Sequence, residues 1–102
     1  MIQLETTGKT ITLKELKIYI KSHSIIGIVY KILSAFRHIS FSDTKITLYN
    51  TKSERKHITS DTHRLIIPID EIEKINISAL SETSSIITLY PFGKMILFFQ
   101  KS

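Results

Sequence analysis

The C-terminal part of the chain constrains the fold more than any other segment. Two apolar runs, residues 86–90 and 94–99, flank the sequence Pro91-Phe92-Gly93, and this order is typical of a β-hairpin. The second run is apolar at neighbouring as well as alternate positions, so both faces of the hairpin need to be covered. We therefore expect the hairpin to pack within the fold or to form an isologous homodimer with a second copy of the chain.

A helix is predicted near the N-terminus. Thr12 is an N-cap candidate, and Glu15, three residues later, completes a capping box. Leu13, Leu16 and Ile20 then fall on one helical face, and the lysines of this segment fall off it. Alternate apolar positions in the same segment also fit a strand, so the pattern leaves both structures open.

A second helix is predicted over residues 25–37, with Ser24 as its cap. The apolar positions follow the three-and-four spacing of a helix that is buried on one side; they are Ile25, Ile28, Val29, Ile32, Leu33 and Phe36. We expect this helix to leave Tyr30, Lys31 and Arg37 on its free face.

After the second predicted helix the pattern changes to the period of two that is typical of strands. Ile46 and Leu48 alternate with Lys45, Thr47 and Tyr49, and residues 64–69 are predicted as a further strand with Pro68 near its end. Residues 72–77 suit either one helical turn or an extended segment. The predicted fold is therefore α+β in a single domain, residues 1–102, with two N-terminal helices, an antiparallel β-meander with a wing, and the C-terminal hairpin.

The composition excludes several kinds of site. The chain has no Cys, which removes disulfides, thiolate nucleophiles and Cys-ligated zinc and fits a reducing cytoplasm. No apolar run approaches the roughly 20 residues of a membrane-spanning helix, and no secretory signal follows Met1. The histidines lack metal-ligand spacing, and neither a nucleophile elbow nor a Gly-rich phosphate loop is present. We therefore expect a cytoplasmic non-enzyme with no metal, cofactor, membrane or small-molecule substrate.

Cations are concentrated in the first two-thirds of the chain. Residues 1–66 hold eleven of the fourteen Lys and Arg but five of the nine acids, a net charge of +6, whereas residues 67–102 carry −1. This asymmetry predicts a surface for an anionic partner, mounted on a separate packing platform. Many of the cations lie in residues 50–64, which we expect to protrude as a wing.

Residues 12–48 resemble the winged helix-turn-helix family. The "LKEL" start of the first predicted helix, the "VYKIL" segment of the second and the hairpin from Lys45 onward match the order of that family. The resemblance implies a protein that binds double-stranded DNA at a defined site. A dimer formed through the C-terminal hairpin would suit this role, because its two wings would meet successive or repeated half-sites. The implied role is a transcription regulator, or an accessory factor of plasmid or phage transfer or replication. The richness in Ile, Lys, Ser and Thr is typical of an AT-rich coding source, such as a low-GC bacterium or a mobile element.

The side chains that would contact DNA come from the free helical face and the wing. Arg pairs with guanine through two hydrogen bonds, while Lys mainly neutralises phosphate. The predicted contacts are Tyr30, Lys31, Arg37, Lys45, Asn50, Lys52, Arg55, Lys56, His57, His63 and Arg64. A solvated basic loop without any partner explains the same cations.

A second resemblance covers residues 39–99. The stretches HISFSDTKITLYN, LIIPIDEIEKINI and SSIITLYPFGKMILFF are similar, in pattern and in order, to bacterial pleckstrin-homology-like domains. This resemblance implies a barrel closed at one end by a helix, a place that residues 25–37 would have to take here. It also implies an adaptor module for a protein, a peptide or a lipid headgroup.

Overall fold

The computed structural model describes residues 8–31, 34–50 and 64–101, which form one α-helix, nine strands and one 3-10 turn. In chain order these elements are β1 (Lys9–Ile11), α1 (Leu13–Ser22), β2 (Ile25–Tyr30), β3 (Ser34–Phe36), β4 (His38–Phe41), β5 (Lys45–Tyr49), β6 (Arg64–Pro68), the 3-10 turn (Ile69–Glu71), β7 (Lys74–Ser81), β8 (Ser84–Tyr90) and β9 (Gly93–Phe99). The fold is mainly β, so the predicted α+β class with two N-terminal helices is wrong.

The strands form two antiparallel sheets. The large sheet has six strands in the order β1-β7-β8-β9-β2-β3, and the small sheet has three in the order β4-β5-β6. Within the described ranges only α1 is an α-helix, whereas a winged helix-turn-helix is built around several. The resemblance to that family is therefore contradicted by the structure.

The first predicted helix is confirmed as α1. The Thr12 hydroxyl accepts a hydrogen bond from the Glu15 amide at 3.1 Å, and the Glu15 carboxylate accepts one from the Thr12 amide at 2.8 Å. These two bonds form the predicted capping box and satisfy two amides that a helix start leaves without a partner. On the inner side of the helix, Leu16 is completely buried.

Where residues 25–37 are described, two strands, β2 and β3, stand in place of the second predicted helix; Ile32 and Leu33 lie outside the described residues. Lys31 follows β2 with a φ of 58°, and Val29 lies opposite Ala35 in the pairing. Four of the six residues of β2 are β-branched, and such side chains favour extended backbone. Ile28 and Tyr30 face the core while the opposite face is also apolar, and this two-sided pattern imitates helical spacing. The helix that the pleckstrin-homology-like alternative required at residues 25–37 is likewise replaced by strands.

The strands of the middle of the chain lie close to where the sequence predicts them. The alternation around Ile46 and Leu48 becomes β5, and the run from residue 64 becomes β6, which ends at Pro68. The ambiguous segment, residues 72–77, is extended over most of its length and enters β7 at Lys74.

The C-terminal hairpin is confirmed as β8 and β9, with Ile86 opposite Ile96. Gly93 has a φ of 125°, in the left-handed region that favours glycine. The Tyr30 hydroxyl donates a hydrogen bond to the Phe92 carbonyl at 2.5 Å. The end of β2 is thereby tied to the turn of the hairpin.

One buried cluster joins both sheets and α1. Its fully buried large side chains are Leu16, Ile28, Ile46, Leu48, Ile67, Ile87, Leu89, Met95 and Leu97. The hydroxyls of Tyr19 and Ser85 lie 2.5 Å apart, and the Tyr19 ring meets that of Phe99 edge-on at 6.3 Å. These contacts hold α1 against the inner face of the large sheet, while another side of α1 borders β4.

Candidate functional site

A groove of about 520 Å³ separates α1 from β4. Its volume lies within the range of roughly 300–1,000 Å³ that is usual for ligand sites. The helix and the edge strand each contribute one wall. The lining residues are Lys14, Lys17, Ile18, Ile20, Lys21, Ile39, Ser40 and Phe41.

The helical wall of the groove is cationic. Lys14, Lys17 and Lys21 are three and four residues apart, so they lie on one side of α1. The ammonium of Lys17 is 5.7 Å from the centre of the Phe41 ring, within the distance of a cation–π contact. None of the lining residues in the described structure is acidic, so these charges face the groove without a carboxylate to neutralise them.

The remainder of the lining is largely apolar. Ile20, Ile39 and Phe41 are partly buried and pack against the core, whereas Ile18 is 57% exposed. An isolated exposed isoleucine is common on protein surfaces. Here it borders a concave surface that already has an apolar floor, and the combination of apolar and cationic walls is suited to an anionic ligand with apolar groups.

The predicted DNA contacts are distributed over different parts of the molecule. Tyr30 is only 7% exposed, and its hydroxyl is used by the Phe92 carbonyl; burial also raises the pKa of this phenol. Lys31 follows β2 and, together with Lys94, borders a depression on the outer face of the large sheet. The free helical face that would have presented Tyr30, Lys31 and Arg37 does not exist, because these residues lie in strands or at corners.

Three other predicted contacts come together at one end of the small sheet. The Arg37 amide donates to the Tyr49 carbonyl at 3.2 Å, Arg64 lies opposite Tyr49 in the pairing, and Asn50 follows Tyr49 in the chain. Lys45 is at the other end of β5, opposite Pro68. The remaining predicted contacts, which belong to the wing, lie outside the described residues: Lys52, Arg55, Lys56, His57 and His63.

No metal-ligand constellation is present in ranges 8–31, 34–50 and 64–101, where no three side chains of His, Asp or Glu are grouped to hold an ion. In the same ranges, no helix has the length and apolar character needed to cross a membrane. No protein-family model, curated protein or solved structure matches the chain.

Sequence reasoning did not identify the groove. For the helical wall, the available signal was the spacing of Lys14, Lys17 and Lys21. The sequence pattern places these lysines off the apolar face of the first predicted helix. The other wall comes from β4, and no local pattern shows that Ile39 and Phe41 lie beside α1. Only the tertiary fold brings the two walls together.

Proposed function

We propose that this protein is a non-catalytic binding module that holds an acidic segment of a partner protein in the groove between α1 and β4. The observation that supports the proposal is the row of three lysines beside an apolar floor, with the exposed Ile18 at its margin. This proposal keeps the adaptor function that the sequence left open, and it is supported by the chemistry of the groove and not by a fold resemblance.

Charge and apolar surface favour the same class of ligand. Like charges on one helical face repel one another, so carboxylates from a partner would relieve the repulsion. Aliphatic side chains of the partner would cover Ile18 and remove its apolar surface from water, which is favourable by roughly 25 cal/mol per Å². An acidic segment that also carries aliphatic residues satisfies both requirements.

The test is fluorescence anisotropy with a labelled octapeptide of alternating Glu and Val, compared with one of alternating Gln and Val. We expect the Glu peptide to bind at low ionic strength and more weakly as salt is added. Lys17→Glu should weaken binding by about tenfold or more, since it replaces an attraction with a repulsion. The matched control is Lys74→Glu, which makes the same charge change on β7, outside the groove. Equal binding of both peptides, or equal losses in both variants, would refute the proposal.

A second candidate function is binding of double-stranded DNA at the end of the small sheet. The specific observation in its favour is that Arg37, Asn50 and Arg64 lie together where β5 and β6 connect through residues 51–63, a segment that carries three more Lys and Arg. Arginine is suited to both phosphate and guanine. A role in transcription regulation, or in plasmid or phage transfer or replication, belongs to this second candidate.

The two candidate functions are distinguished by repeating the anisotropy measurement with random duplex DNA in place of the peptide. Nucleic-acid binding driven by phosphate contacts weakens steeply with salt, and it should respond to Arg37→Gln and Arg64→Gln rather than to Lys17→Glu. A protein that binds the Glu peptide and ignores duplex DNA at low salt supports the first candidate alone.

We propose that this module assembles as a homodimer. We also propose a cytoplasmic location, with which the lack of cysteine is compatible. A row of apolar side chains crosses the outer face of the large sheet, where Ile86 pairs with Ile96 and Ile96 with Val29. Phe98, on the same face, is 38% exposed. Light scattering coupled to gel filtration tests this assembly; a monomeric mass at high concentration, or a dimeric mass that Ile96→Lys leaves unchanged, would exclude this face as the interface.

A further inference from the structure

The edge of the small sheet gives the groove a second means of binding, through the backbone. In the described residues β4 has a paired strand on one side only, namely β5. An edge strand presents amides and carbonyls that can pair with an added strand. Ile39, Ser40 and Phe41 of this edge strand line the groove opposite α1.

The alternation of hydrogen bonds between β4 and β5 shows which backbone amides and carbonyls of β4 are directed away from β5. The Ser42 amide donates to the Lys45 carbonyl at 2.9 Å, and Ser40 lies opposite Thr47 in the same register. Hydrogen-bonded and non-hydrogen-bonded pairs alternate in an antiparallel ladder. Ser40 therefore bonds to β5, whereas the amides and carbonyls of Ile39 and Phe41 point away from β5.

The two walls of the groove have matching lengths. From Lys14 to Lys21 a helix rises about 10 Å, and the four residues of β4 also span about 10 Å. A short extended peptide can therefore contact the lysine row over the same length on which it pairs with β4. A helical ligand could meet the lysines, but it has no free amides or carbonyls along its length for Ile39 and Phe41.

We propose that the groove takes an extended segment of a partner protein, with alternating acidic and aliphatic residues, as a fourth strand on β4. Its backbone pairs with Ile39 and Phe41, its carboxylates meet the lysines of α1, and its aliphatic side chains cover Ile18. This inference rests on the proposed function and adds the conformation and the hydrogen-bonding pattern of the bound segment.

The experiment uses three forms of the Glu/Val octapeptide: unmodified, N-methylated at the Val amides, and N-methylated at the Glu amides. In an added strand only alternate amides face β4. We expect one methylated form to lose at least about tenfold in affinity, while the other keeps the affinity of the unmodified peptide. Hydrogen exchange by NMR should show new protection of the Ile39 and Phe41 amides on binding and no change at Ser40.

The possible failures are distinguishable. If both methylated peptides bind as the unmodified one does, or lose affinity equally, strand addition is wrong, while sensitivity to Lys17→Glu still supports binding in the groove. If the unmodified octapeptide does not bind at low salt, both proposals fail. Binding of phosphatidylserine vesicles in place of the peptide would assign the groove to a membrane, and a dimer that Ile39→Pro dissociates would assign it to a second copy; either result overturns the inference.

Discussion

The large and the small sheet contribute unequally to packing and to candidate binding surfaces. In the large sheet, β8 and β9 each have strands on both sides and bury Ile87, Leu89 and Leu97 completely. In the small sheet, β4 is paired on one side only within the part of the chain that the structure describes, and both the groove and the Arg37–Arg64 end adjoin it. The difference indicates that binding can be altered at the exposed edge of the small sheet while the fold is retained by the buried side chains, which include Ile46, Leu48 and Ile67 of β5 and β6.

The strongest test of this division is a pair of apolar truncations. Leu97→Ala, at a fully buried position of the large sheet, should lower the free energy of unfolding by about 2–5 kcal/mol. Ile18→Ala, at an exposed position beside β4, should change it by less than about 0.5 kcal/mol and should weaken binding of the Glu/Val octapeptide. Urea unfolding and anisotropy measure the two effects. Comparable losses of stability in the two variants would contradict the division.

A smaller effect is expected at the basic end of the small sheet. The double variant Arg37→Gln and Arg64→Gln should leave the urea midpoint nearly unchanged, because both side chains are exposed. If this end binds duplex DNA, the slope of log affinity against log salt should fall by about 2, one for each phosphate that the variant no longer neutralises. Lys74→Glu provides the control on the large sheet. An unchanged slope would show that Arg37 and Arg64 do not contact the phosphates of DNA.

The next prediction concerns the start of α1, the helix that packs on the large sheet and borders β4. Thr12→Ala removes the hydroxyl of the capping box and should cost about 1 kcal/mol of stability. Thr12→Ser keeps a hydroxyl and should retain most of it. Thr12 does not line the groove. The affinity for the octapeptide, measured at a temperature well below the unfolding midpoint, should therefore stay the same in both variants. A large loss of affinity would mean that the groove depends on the start of α1.

The smallest effect concerns pH. The hydrogen bonds from Thr12 hold the pKa of Glu15 below its ordinary value of 4.5. A lowered pKa in the folded state stabilises the protein above the unfolded pKa, and this contribution is lost as the pH falls through the folded pKa. The stability advantage of the wild type over Glu15→Gln should therefore be constant near neutral pH and shrink below about pH 5. An advantage independent of pH would contradict the ionised capping box.

What the sequence predicted correctly was local. The capping box needs only Thr12 and Glu15 three residues apart, and the C-terminal hairpin is marked by Pro91 and Gly93 between apolar runs. These signals lie within a few residues of one another, so they can be recognised without knowledge of the tertiary fold.

The failures came from positions whose role is set by distant neighbours. A strand with strands on both sides of it and apolar residues on both faces, as β2 is, can imitate the three-and-four spacing of a helix. The preference of its β-branched residues for extended backbone was the opposing signal. The groove depends on Ile39 and Phe41 lying beside α1, which no periodicity in either segment encodes.

The burial of Tyr30, at the end of β2, provides an intrinsic optical reporter. The chain has four Tyr and no Trp, so its near-ultraviolet absorbance is dominated by phenol rings. Because burial raises the pKa of Tyr30 above 10.0, its phenolate band should emerge at a more alkaline pH than that of an exposed tyrosine. The absorbance of the folded protein in alkali thus follows the burial of the Tyr30 phenol without any label.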